Sequence, residues 1–599
     1  MKLRHFLLIS AVFCLTLVRR VSACTNLIVS PGASTDGSTI VTYNADSASL
    51  YGLLYHYPAT TGNPPTETRS IFDWDSGRPL GSIPEAANTF NVVGNMNERG
   101  LTIAETTFGG VSLLSSQPGA LIDYGSLIWI TLQRASSARE AIKTIDWLMQ
   151  TYGYASSGES FSIADGKEAW IMEIIGKGSF ERGAVWVAQR LPEGSICAHA
   201  NQARTTTFPQ GDPENCLFSS DVVLFARKAG LYPQDAEAFP DTAFDFSAAY
   251  DPISFSGARF CDARVWALFG AVLGSDFLDQ YQAYASGQNL TQRMPLFVFP
   301  PAGGKVTVKQ AMSLMRGHYE GTALDMAGIV VDGQSDVGAA FASIPYRAHP
   351  LTWSASEQPG KTFLNERSVS TQQTGWNFVA VTRGWMAPPL RGLLWFGVDD
   401  SSTTVRLPVY ASSTSVSPAF YGKGPQDGVT PPMMVFDPKT AFYAFNLVAN
   451  WAYSRWSVMY PELLDAITSK EEELAQAVLL LDEKALAMLE AGEKESAVVQ
   501  ALTQWSAQAG QQLVAEWNAL FGRLFVKYRD GYLITPDSAN LACGCAPASL
   551  GYPDAWYGKI ASSTGDHLLV PQTASLEGRE GAAAAAAHEA AKLVLLGRR

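Results

Sequence analysis

Positive charge is scarce in this sequence of 599 residues, in which 43 Lys and Arg side chains stand against 56 Asp and Glu. The formal net charge is −13 at pH 7. A chain of this sign repels phosphate backbones, so the composition speaks against a nucleic-acid partner. The acidic residues are scattered along the chain, which indicates solubility rather than an acidic docking surface.

Cysteine and histidine are also rare, with seven of each. So few cysteines in so long a chain exclude a small scaffold that disulfides hold together. Cys543 and Cys545 are separated by a single glycine, a spacing too tight for the common zinc motifs. We therefore predict no metal site at this pair.

Long apolar runs are missing beyond the first residues of the chain. There, a short basic stretch precedes the apolar run Phe6–Val18, which is too short to span a bilayer, and small residues follow up to Ala23. This order is typical of a secretory signal peptide over residues 1–23. We expect a protein that is secreted, periplasmic or in another compartment of the secretory route, with no stable membrane insertion.

Short β-branched runs that alternate with turn residues predict antiparallel hairpins in the first third of the chain. Thr25–Ser30 and Ser38–Tyr43, for example, flank a turn rich in Gly, Pro and Asp. Helices interrupt these strands, and one of them begins with a capping box at Ser137. Strands and helices in this arrangement predict a layered α+β fold.

Composition divides the mature chain into three parts. Residues 24–437 form the strand-rich main domain, and residues 438–571 form a mainly helical C-terminal region. Within that region, Ser469–Tyr528 carries a leucine stripe that predicts a face packed on the core, and an oligomer interface is the alternative. Residues 572–599, with six consecutive alanines, are predicted to be a disordered low-complexity tail without chemistry.

Cys24 directly follows the predicted cleavage site, and this position admits three interpretations. In the first, Cys24 becomes the N-terminal residue, and its own α-amine, with an ordinary pKa of about 8, serves as general base for the thiol. In the second, Val21–Cys24 is a lipobox, and lipidation blocks the amine. In the third, Cys24 is a buried or disulfide-bonded structural residue.

The segments that follow Cys24 favour the first interpretation. They read C-T-N-L-I-V from Cys24, T-D-G-S-T-I from Thr35 and N-A-D from Asn44. In the same order follow G-N-M-N-E-R-G-L from Gly94, A-H-A-N-Q-A-R from Ala198 and S-G-A-R-F from Ser256. Together these motifs resemble the secreted dipeptidase family of cysteine N-terminal nucleophile (Ntn) hydrolases, which includes secernins and is more distantly related to bile-salt and penicillin V acylases.

The resemblance, which covers Cys24 to Pro431, implies a four-layer αββα sandwich with antiparallel sheets, here followed by a helical C-terminal extension. It implies hydrolysis of dipeptides or other short peptides, without a metal or a cofactor. By position, Cys24 is the nucleophile, Asp46 holds its amine or that of the substrate, and Asn201 donates to the tetrahedral oxyanion. The residues that it suggests for substrate binding are Asn44, Thr107, Arg204 and Arg259.

Two positions depart from the pattern of the family. Many relatives carry Arg where Tyr43 stands, and a tyrosine cannot supply a full positive charge. Either another cation, such as Arg204 or Arg259, reaches the site, or the pKa of the thiol stays higher. Thr107 stands where the acylases carry an oxyanion-hole Asn, and a hydroxyl can also donate.

Other interpretations stay open at this point. The same catalytic groups would suit an acylase that cleaves N-acyl amino acids or other amides, and a lipidated Cys24 would make the chain a non-catalytic, lipid-anchored surface protein. His199 suggests a Cys–His dyad, although an isolated His near a strand is more often structural. Glu105 and Glu173 lie in predicted strands, and no spacing selects them for a role.

Overall fold

The structure is a computed structural model that describes residues 24–115, 117–326, 330–331, 334–335, 351–422, 432–551 and 554–570. The predicted signal peptide, residues 1–23, and the predicted tail, residues 572–599, lie outside the described residues.

The strands follow one another along the described chain with these bounds. They are β1 (Asn26–Val29), β2 (Thr39–Asp46), β3 (His56–Tyr57), β4 (Thr60–Thr61), β5 (Thr68–Phe72), β6 (Pro79–Pro84), β7 (Asn88–Thr89), β8 (Val92–Val93), β9 (Met96–Asn97), β10 (Thr102–Gly109), β11 (Gly158–Ala164), β12 (Ala169–Gly176), β13 (Ala184–Arg190), β14 (Ile196–His199), β15 (Cys216–Phe218), β16 (Phe297–Val298), β17 (Val330–Val331), β18 (Gln334–Ser335), β19 (Thr352–Trp353), β20 (Phe363–Leu364), β21 (Thr374–Thr382), β22 (Gly392–Val398), β23 (Leu407–Tyr410), β24 (Tyr532–Pro536) and β25 (Cys545–Ser549).

Two antiparallel sheets make up the centre of the molecule. One has seven strands in the order β16-β14-β1-β2-β21-β22-β23, and the other has eight in the order β15-β13-β12-β11-β10-β9-β8-β3. The remaining strands form two-stranded hairpins at the periphery. The prediction of an α+β fold with antiparallel sheets is confirmed.

Strand β2 shows why the chain segment next to Cys24 is buried. Every residue of β2 is buried, because the strand lies in the middle of its sheet and contacts β10 and β11 of the other sheet. Its β-branched run, Thr39–Thr42, fits such a doubly covered position. Strand β1 pairs with β2 through Ile28 opposite Val41, which places the start of β1 beside the end of β2.

The helices cover the outer faces of the sheets. They are α1 (Tyr124–Arg134), α2 (Ala138–Tyr152), α3 (Val222–Lys228), α4 (Phe246–Tyr250), α5 (Ala263–Leu273), α6 (Ser275–Ala285), α7 (Val308–Leu314), α8 (Pro388–Arg391), α9 (Ala441–Ser454), α10 (Trp456–Glu490), α11 (Glu495–Tyr528) and α12 (Asp554–Thr564), with a π-helical turn (Gly257–Asp262) before α5.

Helix α2 illustrates how the local sequence determines an element. The Ser137 hydroxyl accepts a hydrogen bond from the backbone N–H of Glu140, as the capping box predicts. Apolar residues at helical spacing, among them Ile142 and Ile145, face the core. Helices α1 and α2 contact the eight-stranded sheet, whereas α5 and α7 contact the seven-stranded one.

The C-terminal region contains three long helices, α9, α10 and α11, which pack on β22 and β23. The apolar residues of α10, such as Leu463 and Leu474, are buried in the same core as the sheets. A hairpin of β24 and β25 follows, in which a disulfide joins Cys543 to Cys545. Among the described residues, no helix combines the length and the apolarity needed to cross a membrane.

Candidate active site

Cys24 lies immediately before β1 and is almost completely buried, with 3% of its surface exposed. Two backbone hydrogen bonds between Thr25 and Asn44, of 3.1 and 3.0 Å, fix this end of the chain against β2. Because β2 ends at Asp46, the pairing brings Cys24 and Asp46 to the same edge of the sheet. The sequence order Cys24–Asn44–Asp46 thus becomes one cluster.

The nitrogen of Cys24 is held by Asn201. The backbone N–H of Cys24 donates to Oδ1 of Asn201 over 2.8 Å, and Nδ2 of Asn201 donates to the carbonyl oxygen of Thr107 over 2.6 Å. Asn201 follows β14, the neighbour of β1, and has a positive φ of 70°. Asn is one of the few residues that adopt this left-handed conformation readily, which lets its side chain turn back towards Cys24.

Arg264 is a site residue that the sequence analysis missed. It lies in α5 with no solvent exposure, and its guanidinium donates to the carbonyl oxygen of Cys24 over 2.7 Å and to Oδ1 of Asn201 over 3.0 Å. Further bonds go to Thr25 Oγ1 and to the carbonyl oxygen of Ala200. A buried guanidinium is tolerated only where its N–H groups form hydrogen bonds. The single charge within the apolar helix α5 was therefore the sequence feature that could have identified Arg264 as a site residue.

The sulfur of Cys24 faces acidic and phenolic groups. Its Sγ atom lies 3.5 Å from the Tyr43 hydroxyl and 3.7 Å from Oε1 of Glu105, and the Tyr43 hydroxyl also donates to Glu105. Burial, followed by the charges of Glu105 and Asp46, raises the pKa of the Cys24 thiol well above its ordinary value. Hydrogen bonds from Tyr43 and from the backbone N–H of Asp46 oppose this rise in pKa.

The Asp46 carboxylate is completely buried. Oδ1 accepts a hydrogen bond from the Thr374 hydroxyl over 2.7 Å, and Nη2 of Arg367 lies 3.7 Å from Oδ2. Burial raises the pKa of Asp46 to about 7, although Arg367 and Thr374 lower it. Within the described residues, Oδ2 accepts no hydrogen bond.

Of the four residues suggested for substrate binding, Thr107 contacts the cluster around Cys24, whereas the side chains of Asn44, Arg204 and Arg259 are bonded to other residues. Thr107 belongs to the cluster, because its carbonyl holds Asn201 and its hydroxyl donates to Glu159 over 3.0 Å. Asn44 is buried, and its amide N–H groups donate to Met315, Val369 and Ser401. These contacts fix Asn44 to neighbouring segments of the chain, and its side chain is not exposed to solvent.

Arg204 and Arg259 do not supply the cation at Cys24. Arg204 donates to the carbonyl oxygens of Ala198 and Pro295, and Arg259 forms an ion pair with Glu366. The cation that contacts the Cys24 segment is Arg264, five residues after Arg259. Arg259 and Arg264 have different partners because Arg259 lies in the π-helical turn and Arg264 lies in α5.

His199 is bonded to residues other than Cys24. Nδ1 lies 2.7 Å from the Thr106 hydroxyl and Nε2 lies 2.7 Å from the Ser162 hydroxyl, so both ring nitrogens have partners. Burial, helped by the charge of Arg204, lowers the pKa of His199 to about 3. A neutral ring bonded in this way supports packing between the sheets rather than a Cys–His dyad.

The described residues contain no group of three or more His, Cys, Asp or Glu side chains arranged to hold a metal ion. The cluster contains a buried thiol, a backbone nitrogen of the same residue held by an amide, and the carboxyl groups of Glu105 and Asp46. A thiol held in this way can attack a carbonyl group and form an acyl intermediate once a base takes its proton.

Comparisons with known proteins agree on one family. The family model described as peptidase family C69 matches residues 23–468. A probable dipeptidase from Salmonella dublin is 30% identical over 330 residues, which is 51% of this chain and 69% of the relative. A probable dipeptidase from Latilactobacillus sakei is 24% identical over 324 residues, 51% of this chain and 63% of the relative. A dipeptidase from Bifidobacterium longum is 24% identical over 345 residues, 52% of this chain and 61% of the relative.

Proposed function

The chain belongs to peptidase family C69, and from this premise we propose that it is a cysteine dipeptidase whose nucleophile, Cys24, becomes the first residue when residues 1–23 are removed. The matched relatives are named dipeptidases, although the matches span 61–69% of their length. The substrates are dipeptides or other short peptides, which the relatives' names suggest.

The observation that carries the proposal is the 2.8 Å hydrogen bond between the nitrogen of Cys24 and Oδ1 of Asn201. After processing, this nitrogen is a primary amine on the same residue as the sulfur. An acceptor already in place orients the amine, so that its lone pair is available to take the thiol proton. Asp46 is the second acceptor, because its Oδ2 atom is buried without a hydrogen bond among the described residues.

The reaction follows from these positions. The amine takes the thiol proton, the sulfur adds to the scissile carbonyl, and the π electrons move to the oxygen. The C–N bond then breaks, and the leaving amine takes the proton from the Cys24 ammonium. Water, deprotonated by the same amine, adds to the thioester, and the acid leaves as the C–S bond breaks and the thiol regains its proton.

Asn201 serves the oxyanion as well as the amine in this proposal. Its amide carries two N–H groups, and one donates to the carbonyl of Thr107. The second N–H is the proposed donor to the tetrahedral oxyanion. A preorganised donor of this kind contributes about 3 kcal/mol to lowering the barrier in other hydrolases.

The same proposal covers the finer architecture. Helices α1 and α2 lie on one sheet, α5 and α7 lie on the other, and the two sheets contact each other through β2 and β10. These contacts support a four-layer αββα sandwich of the Ntn type. Secretion and an oligomer interface in the helical C-terminal region stay predictions from the sequence.

Replacing the nucleophile tests the proposal. In the processed chain, Cys24→Ala keeps the α-amine and removes only the sulfur, so we expect turnover of a dipeptide panel to fall by roughly four orders of magnitude or more. Cys216→Ala is the matched control, because Cys216 is an equally buried free thiol in a separate apolar cluster. It should keep activity within about twofold.

Activity that survives Cys24→Ala would overturn the assignment. A parallel panel of N-acyl amino acids separates the peptidase from an acylase on the same residues. Faster cleavage of the N-acyl substrates than of free dipeptides would replace the proposed substrate class while leaving the nucleophile in place.

A further inference from the structure

Glu105 is a carboxyl group beside the nucleophile that the proposed reaction does not use. It lies in β10 with 1% of its surface exposed, and its Oε1 atom is 3.7 Å from Sγ of Cys24. At this separation and burial the thiol donates its S–H to a carboxylate. The sulfur is therefore oriented by an anion rather than by a cation.

A second carboxyl group lies against Glu105. Glu159, in the neighbouring strand β11, pairs opposite Thr107 and is close enough for its carboxyl group to interact with that of Glu105. Because two neighbouring buried carboxylates repel each other, ionisation of one disfavours ionisation of the other. Burial and the charge of Glu105 raise the pKa of Glu159 well above its ordinary value.

The remaining negative charge stays on Glu105. Burial raises the pKa of Glu105 to about 6, and its hydrogen bonds with Tyr43, Glu159 and Cys24 lower it. None of these three partners is a cation. Arg264, the cation nearest the backbone of Cys24, donates to carbonyl, hydroxyl and amide oxygens instead.

We propose that Glu105 is a positioning residue for the nucleophile: its carboxylate accepts the S–H of Cys24 and holds the resting sulfur in the thiol form. The hydroxyl of Tyr43, which donates to it, keeps that carboxylate in place. The inference rests on the proposed function in one point, which is that Cys24 is the nucleophile.

The groups around the sulfur come from several elements, and their charges decide the direction of the effect. A nearby anion disfavours a second anion, so Glu105 opposes formation of the thiolate, as Asp46 does from the end of β2. The titratable and charged groups that face the Cys24–Glu105 contact are Tyr43, Asp46, Asp75, Tyr124, Glu159, Arg264 and Arg367.

A resting thiol has a chemical consequence. The sulfur resists alkylation and oxidation while the site is empty, and the proton has to be removed by a base within the catalytic cycle. This separates the site from Cys–His enzymes, in which a neighbouring cation stabilises the thiolate in advance. It also makes the amine of Cys24 necessary for activation rather than only helpful.

The experiment measures the pH dependence of iodoacetamide modification at Cys24 in the processed chain, followed by peptide mass spectrometry so that the other thiols do not interfere. For the wild type we expect the midpoint above the ordinary thiol value of about 8.5. In Glu105→Gln the anion is lost and the midpoint falls by about one pH unit or more, which raises modification at pH 7 about tenfold.

Glu173→Gln is the matched control, because Glu173 is an equally buried carboxylate in β12, two strands away from Glu105, and accepts hydrogen bonds from the backbone N–H groups of Arg204 and Thr205. Its midpoint should stay within a few tenths of a unit of the wild type. Glu105→Asp keeps the charge and should restore most of the wild-type midpoint.

An unchanged midpoint in Glu105→Gln, or an equal fall in Glu173→Gln, overturns the inference. If Glu105→Gln does not fold, the wild-type profile decides alone, because a midpoint below pH 7 contradicts a resting thiol. None of these measurements uses turnover, so a chain without dipeptidase activity would defeat the proposed function and leave this inference to be judged by the midpoints.

Discussion

The two sides of Cys24 are built from opposite kinds of groups. On the nitrogen side, a neutral amide, Asn201, and a cation, Arg264, form fixed hydrogen bonds with the backbone. On the sulfur side, the carboxyl group of Glu105 accepts the S–H of Cys24, and the carboxyl group of Glu159 interacts with that of Glu105. The position of the Cys24 nitrogen and the protonation of the Cys24 sulfur are therefore controlled by different neighbours, although both atoms belong to one residue.

Removing Arg264 breaks the nitrogen side and should have the largest effect. Arg264→Ala leaves the carbonyl oxygens of Cys24 and Ala200 buried without their donor, which we expect to lower the free energy of unfolding by about 3 kcal/mol or more. The folded fraction should lose activity at least about a hundredfold, because Asn201 and the amine lose their common anchor. Denaturant unfolding and kcat/KM of the folded fraction measure both effects.

Arg406→Ala is the matched control for that variant. Arg406 is also without solvent exposure, but it lies away from Cys24, where it donates to the carbonyl oxygen of Met312 in α7 and pairs with Glu471 in α10. It should lose stability to a similar extent while the folded fraction keeps its kcat. An equal loss of kcat in both variants would show that the effect of Arg264 is only structural.

Asn201→Asp changes the charge on the nitrogen side without changing its shape. A carboxylate beside the amine stabilises the ammonium form and raises the pKa of the amine. The base is then neutral only at higher pH, so the acid limb of the pH profile of kcat/KM should move upward by about one unit. An acid limb that does not move would mean that the amine is not the base.

Glu159→Gln tests the sulfur side through the pH dependence of protein stability. The raised pKa of Glu159 means that the folded chain keeps a proton that the unfolded chain releases. The free energy of unfolding therefore falls as pH rises from the unfolded pKa of Glu159 through the raised folded one, and the amide removes this loss. The Tm of the variant minus that of the wild type should therefore be larger at pH 8 than at pH 5.

Exposed Glu193 provides the control, since Glu193→Gln should change Tm equally at both pH values. A Tm difference for Glu159→Gln that is the same at pH 5 and pH 8 would contradict a raised pKa of Glu159 in the folded chain.

The smallest effect is expected at Arg259, which lies on neither side. Its ion pair with Glu366 is partly exposed, so Arg259→Ala should cost about 1 kcal/mol or less in stability. Values of kcat/KM for dipeptides should change less than about threefold. A large rise in KM alone would revive Arg259 as a group that binds the substrate.

Much of this arrangement could be predicted from the sequence, because it depends on local pattern. The β-branched runs gave β1 and β2, and their pairing brings Cys24 to Asp46. The A-H-A-N motif gave Asn201, since β14 pairs with β1 through Asn26 opposite His199. Asp46 lies on β2 and Asn201 directly follows β14, the two strands that neighbour β1 in one sheet, so local sequence motifs were enough to identify them.

The residues that were missed come from other layers of the fold. Arg264 approaches Cys24 from a helix 240 residues away in sequence, and Glu105 approaches it from the second sheet. Which residue of β10 faces β2 depends on how the sheets pack, and no periodicity in one strand reveals it. The motif around Ser256 pointed to Arg259, whereas the geometry selects the arginine in α5.

The N-terminus of the active enzyme is the most direct test of the central claim. Intact mass and N-terminal sequencing of the purified protein, with dipeptidase activity measured on the same sample, should find a chain that begins at Cys24 with an unmodified amine. An active chain that begins at another residue, or at Cys24 with a blocked or lipidated nitrogen, would contradict the proposal that this amine is the base.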